Sequence, residues 1–235
     1  MTDIDGALLV DKASDWTSHD VVAKIRNHFR IKKVGHCGTL DPSATGLLIL
    51  VLGKGTKLSE RLMGQDKFYE GVIRLGEATD SYDADGEITS TNLVPPMNLD
   101  SLNEEAKAFI GDTMQTPPMV SAVKVDGVPL YKLARKGKTV ERKPRLVHIY
   151  RFKFSEYTEP EAYFKLACTK GTYVRSIAHE LGESLGCGAH LKSLRRTRSG
   201  KFDVSEAHTI DSILKMDPAE FASQTIPFTK LVQQS

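Results

Sequence analysis

The run Leu47-Leu48-Ile49-Leu50-Val51-Leu52, bracketed by Gly46 and Gly53, constrains this chain more than any other stretch. Six consecutive apolar residues leave no polar face. A half-buried strand would alternate, and an amphipathic helix would show a 3.6-residue period. The run therefore reads as a strand buried on both faces or as a turn of a core helix, and the two glycines favour the strand. Just upstream lies Gly35-His36-Cys37-Gly38-Thr39-Leu40-Asp41-Pro42-Ser43-Ala44-Thr45. This segment holds a single carboxylate, Asp41, between a glycine-rich approach and a proline. A lone acid on a stiff loop beside a buried strand is a setting suited to a reactive group. The plainer alternative is that Asp41 only starts a turn before Pro42. Spacing alone does not separate the two.

The flanking elements point to a mixed α/β chain with a largely antiparallel sheet. Leu8-Leu9-Val10 reads as a short strand followed by a turn at Asp11-Lys12. Thr17 and Asp20 have capping-box spacing, and Val21, Val22, Ile25 and Phe29 recur at helical intervals behind them. Residues 67–75 read as a strand and 76–87 as a polar loop. Asp100 is placed to cap a helix carrying Leu102, Ala106, Phe109 and Ile110 and ending at Gly111. Met119 to Val125 reads as a strand with a turn at Asp126-Gly127, and Pro129 to Ala134 as a short helix. Residues 145–154 and 161–169 read as strands, the second placing Ala162, Phe164, Leu166 and Cys168 on one face. Gly171 then breaks the chain. Ile177, Leu181 and Leu185 mark a helix ending at Gly186, so Tyr173 and Arg175 fall near its N-terminus. At 235 residues, with no repeat and no evident linker, residues 1–235 read as a single domain.

Several chemistries are excluded. Gly53-Lys54-Gly55-Thr56 lacks the spacing of a phosphate loop. Ser81-Tyr82-Asp83-Ala84-Asp85-Gly86 imitates a calcium loop, but Ser81 and Asn92 fail at its two ends. Cys187 and His190 find no second pair for zinc, so no metal is expected. Cys37, Cys168 and Cys187 form no CxxC pair and no disulfide framework. His36 and Cys37 are adjacent on an extended loop and point apart, which disfavours a thiol dyad. No apolar run approaches membrane-spanning length, and the acidic N-terminus does not read as a signal peptide. A reduced, cytoplasmic setting is the default. The net charge of +2 conceals two basic stretches. Lys132, Arg135, Lys136, Lys138, Arg142, Lys143 and Arg145 share theirs with Glu141 alone; Lys192, Arg195, Arg196, Arg198 and Lys201 share theirs with no acid. Two such clusters suit a polyanion such as nucleic acid, although each is also compatible with a solvated face.

What remains is Asp41 together with Gly171-Thr172-Tyr173-Val174-Arg175. An arginine close to Asp41 would hold it ionised, fit to act as nucleophile or base. These residues carry a resemblance. Gly35 to Gly46, Asp66-Lys67-Phe68-Tyr69, Asp80 to Gly86, Pro117 to Lys124, Gly171 to Arg175, Gly186 to Leu191 and Leu194-Arg195-Arg196 match, in order, the motifs of the TruB family of pseudouridine synthases. The resemblance runs from about residue 6 to about residue 210. Gly127 to Gly137 is more similar to the stand-alone tRNA enzymes than to their guide-RNA-dependent relatives.

The resemblance implies the pseudouridine synthase fold, a central and largely antiparallel sheet flanked by helices. It implies a thumb-like RNA-binding segment at about 112–145. The implied activity is isomerisation of uridine-55 in the tRNA T loop, with base flipping and without cofactor or metal. Asp41 would be the nucleophile and Arg175 its partner. Tyr69 would stack on the base, Tyr173 line the pocket, Leu194 contact the base, and His36 occupy the space the base leaves. Asp83 falls at a supporting position. The implied partner is the tRNA T stem-loop; nothing demands a protein partner or more than a monomer. Cys37 and Ser43 depart from the usual residues without replacing a reacting group. Bacterial relatives usually continue into an RNA-binding PUA domain, whereas this chain stops at Ser235 after a short tail at 210–235. That predicts weaker, more salt-sensitive tRNA binding. The competing readings are a non-catalytic tRNA-binding or folding module, and guide-RNA-dependent modification of ribosomal RNA. Intact Asp41, Tyr69, Tyr173 and Arg175 favour the enzyme.

Overall fold

The computed structural model describes residues 4–121, 123–125, 127–130, 133, 137–138 and 140–233. It divides into two compact units, 1–69 with 195–235, and 70–194. The chain passes between them inside the strands Lys67–Leu75 and Ala189–Ser199. Both units mix helices with strands whose pairing is mostly antiparallel.

In the first unit, the apolar run forms the strand Thr45–Leu52. Its residues 46–52 are all buried, which explains the missing alternation. Leu47, Ile49 and Val51 pack with Ala7, Leu9, Cys37, Leu62, Phe202 and Leu231 in one cluster. The neighbouring strand, Gly6–Lys12, runs antiparallel in the register Lys12↔Gly46 to Gly6↔Leu52. Asp11 and Lys12 thus extend the strand and form no turn. Val34–His36 pairs with the other edge of Thr45–Leu52. Helix Ser18–His28 begins at the expected capping box, with Thr17 and Asp20 bonding reciprocally. The C-terminal residues return to this unit: Ile226 and Pro227 pair with Ala7 and Gly6, and Phe221 stacks on Phe29 with centroids 3.8 Å apart.

In the second unit, Arg145–Thr158 pairs with Glu161–Cys168 on one side and Gly111–Gln115 on the other. Irregularities at Ile149/Arg151 and Phe154/Glu156 shift its inward parity, so Val147 and Ile149 face the core first and Phe152 and Phe154 next. Ala162, Phe164, Leu166 and Cys168 are buried, as their alternation predicts. The helix expected near residue 100 spans Leu99–Lys107, and its cap is Asn98, paired reciprocally with Ser101; Asp100 lies in the first turn. Asn98 wins because Ser101 at N3 can answer it. The stretch read as a polar loop contains Glu77–Thr79, which pairs with Ile88–Thr91. In place of a strand from Met119, the structure has the short pair Lys124–Val125 and Val128–Pro129. Tyr131, Lys132, Ala134, Arg135 and Lys136, central to the expected helix and thumb, lie outside the described residues.

Candidate active site

In the first unit the loop around Asp41 is fastened on both sides by buried polar side chains. Lys12 ends its strand fully buried. Its Nζ donates to the carbonyls of Ala13 (2.9 Å), Trp16 (2.7 Å) and Pro42 (2.9 Å). The Asp15 amide donates to the same Pro42 carbonyl at 3.0 Å. Ser18 Oγ accepts from the Leu40 amide at 2.9 Å and donates to the Leu40 carbonyl at 3.2 Å. Arg196, only 1% exposed, donates from Nε to Leu47 O (2.7 Å) and from Nη2 to Gly38 O (3.0 Å). The Ala44 amide closes the turn on the Asp41 carbonyl at 3.1 Å. Residues 38, 40, 42 and 47 are therefore anchored, while Asp41 stays half-buried.

Two glycines permit this packing. Gly38 and Gly46 both have φ +97°, the left-handed region. A Cβ at Gly46 would run into the Arg196 main chain, where Arg195 and Arg196 pair in parallel with Thr45 and Gly46.

The electrostatics follow from burial. Desolvation pushes the Lys12 ammonium down to about 8, Asp41 and Asp15 pull it up, and Arg196 adds to the depression. A cation therefore sits beside Asp41 at neutral pH. Burial, then Arg196 and His19, lower His36, so its imidazole is neutral at pH 7. Its Nδ1 is buried without a hydrogen-bond partner among the described residues. Burial pushes the Cys37 thiol up to about 11. As a protonated thiol it is no nucleophile at neutral pH. Tyr69 stands half-buried in Lys67–Leu75, next to Phe68, whose ring carries the Arg198 guanidinium at 3.7 Å.

In the second unit, helix Val174–Ser184 starts where the glycine break predicts, with Tyr173 as N-cap residue and Gly171 at φ +82°. Gln115, itself buried, holds the Tyr173 backbone from both sides. Its Oε1 accepts from the Tyr173 amide at 2.6 Å, and its Nε2 donates to the Tyr173 carbonyl at 3.0 Å. In the first turn of the helix, Arg175 Nη1 lies 3.2 Å from Asp83 Oδ2, with both side chains buried. Arg175 also donates to Val120 O at 2.8 Å and Ser81 O at 3.3 Å. A buried charge needs this degree of satisfaction. Asp83 accepts from Ser81 Oγ and from the Asp85 amide, and bridges to Leu191. Tyr82, at φ +67°, stacks on His179 with centroids 3.9 Å apart. Leu194 is half-buried at the unit's end.

Of the residues singled out by sequence, Asp83 and Arg175 meet directly, and Tyr173 opens the helix that carries Arg175. Asp41 and His36 share the anchored loop. Sequence reading missed Lys12, Ser18 and Gln115, and placed Arg196 in a basic cluster suited to a polyanion or a solvated face, and in the Leu194-Arg195-Arg196 motif. That cluster is largely committed elsewhere: Arg195 forks to Asp11 at 2.9 and 2.7 Å, and Lys192 pairs with Glu161. Among the described residues no group of three His, Cys, Asp or Glu could hold a metal, and no helix is long and apolar enough to cross a membrane.

Comparison with known proteins covers nearly the whole chain. Residues 26–174 match the family model for the N-terminal domain of TruB family pseudouridylate synthases, and residues 175–225 that for the C-terminal domain of tRNA pseudouridylate synthase B. A tRNA pseudouridine synthase B of Opitutus terrae is 53% identical, over 96% of this chain and 93% of its own length. One of Chlorobaculum tepidum is 49% identical over 88% of each chain. Among solved structures, a chain of a Cbf5–Nop10–Gar1 complex matches with TM-score 0.77 and 28% identity. A chain of an H/ACA ribonucleoprotein bound to a substrate RNA matches with TM-score 0.74 and 25% identity. Each match covers 98% of this chain, which spans 62% of the length of those solved chains.

Proposed function

Because the chain belongs to the TruB family of pseudouridine synthases, we propose that it isomerises uridine-55 in the T loop of tRNA to pseudouridine, with Asp41 as the nucleophile. The name shared by its relatives supports tRNA as the substrate. The observation that carries the assignment to Asp41 is the anchored loop: buried Lys12, Ser18 and Arg196 fasten its backbone on both sides of a half-buried carboxylate. That arrangement supports a positioned reacting group, since small misplacements are expensive in rate.

The reaction needs a base taken out of the T loop, at a cost of a few kcal/mol. Stacking on Tyr69 would return about 1–3 kcal/mol. His36, kept neutral, would fill the space the base leaves without adding charge. Asp41 would attack the flipped nucleotide as the glycosidic bond breaks. The freed base would turn and rejoin the ribose through a ring carbon as the bond to Asp41 breaks and frees its carboxylate; that carbon gives up its proton, while the ring nitrogen that held the sugar takes one up. Tyr173 would line the pocket, Arg175 would pair with the nucleophile, Leu194 would contact the base, and Asp83 would support Arg175.

The test compares wild type with Asp41→Asn on unmodified tRNA transcript. Asp41→Asn is expected to bind tRNA with little change and to form no pseudouridine. Pseudouridine formation by that variant at the wild-type rate would remove Asp41 from the chemistry.

A further inference from the structure

We propose that a basic cavity in the first unit, at the end of Thr45–Leu52 farthest from Asp41, is a second RNA contact that takes backbone phosphate. The cavity, about 300 Å³, is walled by Arg30, Lys32, Lys33, Lys54 and Lys57, with Asp5 as its one acid among the described residues. Asp5 accepts from the Lys54 amide at 2.7 Å and pairs with Lys54 Nζ at 2.9 Å. Those two bonds hold its carboxyl below the ordinary range, so it offsets about one of the five positive charges. Arg30, Lys32 and Lys33 are exposed, and among the described residues none has a carboxylate within ion-pair distance. The 192–201 cluster, by contrast, spends its charge on Asp11, Glu161, buried carbonyls and the Phe68 ring. Five cations gathered round one concavity repel each other unless an anion joins them.

Position narrows the anion. The register Val34↔Leu52 and His36↔Leu50 places Lys33 and Gly53 at one end of the strand, with Asp41 beyond the other. Eight residues rising about 3.3 Å each separate the two by roughly 25 Å. A molecule that meets both must be extended and charged at intervals, which is the character of an RNA stem. Gly53-Lys54-Gly55-Thr56-Lys57 lacks the spacing that cradles a nucleotide triphosphate, so a free nucleotide fits the cavity less well. Lysine and arginine here would read phosphate without reading sequence.

This inference rests on the proposed tRNA activity, and the experiment separates the two. The triple variant Arg30→Gln/Lys32→Gln/Lys33→Gln is compared with wild type in binding of full-length tRNA from 50 to 300 mM salt. All three side chains are exposed, and the thermal midpoint is measured to confirm folding. A control neutralises three exposed cations elsewhere, Arg151→Gln/Lys153→Gln/Lys165→Gln. Each lost phosphate contact lowers the log–log salt slope by about 0.7–0.9. The cavity variant is expected to bind at least tenfold more weakly at 150 mM salt, with a slope lower by about 2. Its single-turnover rate at saturating tRNA should match wild type, and the control should keep the wild-type slope. A cavity variant with unchanged slope, or a control that falls equally, overturns the inference while wild-type pseudouridine formation still stands. Failure of wild type to modify tRNA would instead defeat the proposed function.

Discussion

Arg196 is the buried anchor whose loss should cost most. Arg196→Met keeps most of the side-chain volume but removes the donors to Gly38 O and Leu47 O. The Leu47 carbonyl is then left buried and the Gly38 carbonyl part-buried without that partner, at roughly 1–3 kcal/mol each. The expected loss is about 3–4 kcal/mol of folding stability, a large part of the 5–15 kcal/mol typical of a domain. At roughly 2–4 °C per kcal/mol for a chain of this size, the thermal midpoint should fall by about 6–16 °C. Gly38 lies three residues before Asp41, so the loop should also lose its fixed position. A displacement of about 1 Å is enough for a hundredfold loss of rate. Arg196→Lys keeps the charge, but one ammonium cannot fork to two carbonyls as the guanidinium does. It should recover only part of each loss. Urea denaturation gives the stability, and single-turnover pseudouridine formation, run well below the midpoint, gives the rate. Arg196→Met within 1 kcal/mol of wild type would refute the anchoring. A destabilised variant with the wild-type rate would show that the anchor does not position Asp41.

Two further outcomes follow from the same structure. Lys12 holds its proton less tightly folded, at about 8, than in its ordinary state at 10.5. Between those pH values the unfolded chain binds more protons, so wild-type stability should rise with pH relative to Lys12→Met, by at most on the order of 3 kcal/mol. Below pH 8 the difference should be flat; urea midpoints from pH 7 to 10 that show it flat or falling throughout would contradict this. Gln115→Leu strips both bonds from the Tyr173 backbone, at a cost of about 1–3 kcal/mol. Hydrogen exchange at residues 173–176 should accelerate in that variant, and unchanged protection there would show that Gln115 does not fasten the helix start.

The parts of the fold visible in the sequence are those where one local rule dominates. Thr45–Leu52 announces itself because burial on both faces demands an unbroken apolar run. Thr17 with Asp20 and the Gly171 break mark helix starts because capping and left-handed glycine are local effects. Lys12, Ser18, Gln115 and Arg196 were hidden for the opposite reason. Each is polar and buried, with at least one partner 22 to 158 residues away. Nothing beside them in sequence distinguishes them from surface residues. Glu77–Thr79 and Ile88–Thr91 escaped because the second strand is wholly exposed and carries no apolar alternation. The candidate site divides in the same way. The residues proposed to react and to stack are legible through motif resemblance, whereas the residues that anchor their loop are legible only in three dimensions.

The central claim is that Asp41 carries out pseudouridine formation at one T-loop uridine. The most direct measurement follows release of the uridine ring hydrogen from tRNA transcript, with the modified position mapped, for wild type and Asp41→Asn side by side. Stoichiometric release by wild type at uridine-55, and none by Asp41→Asn, is the predicted result. Release at another position, or equal release by Asp41→Asn, would contradict it.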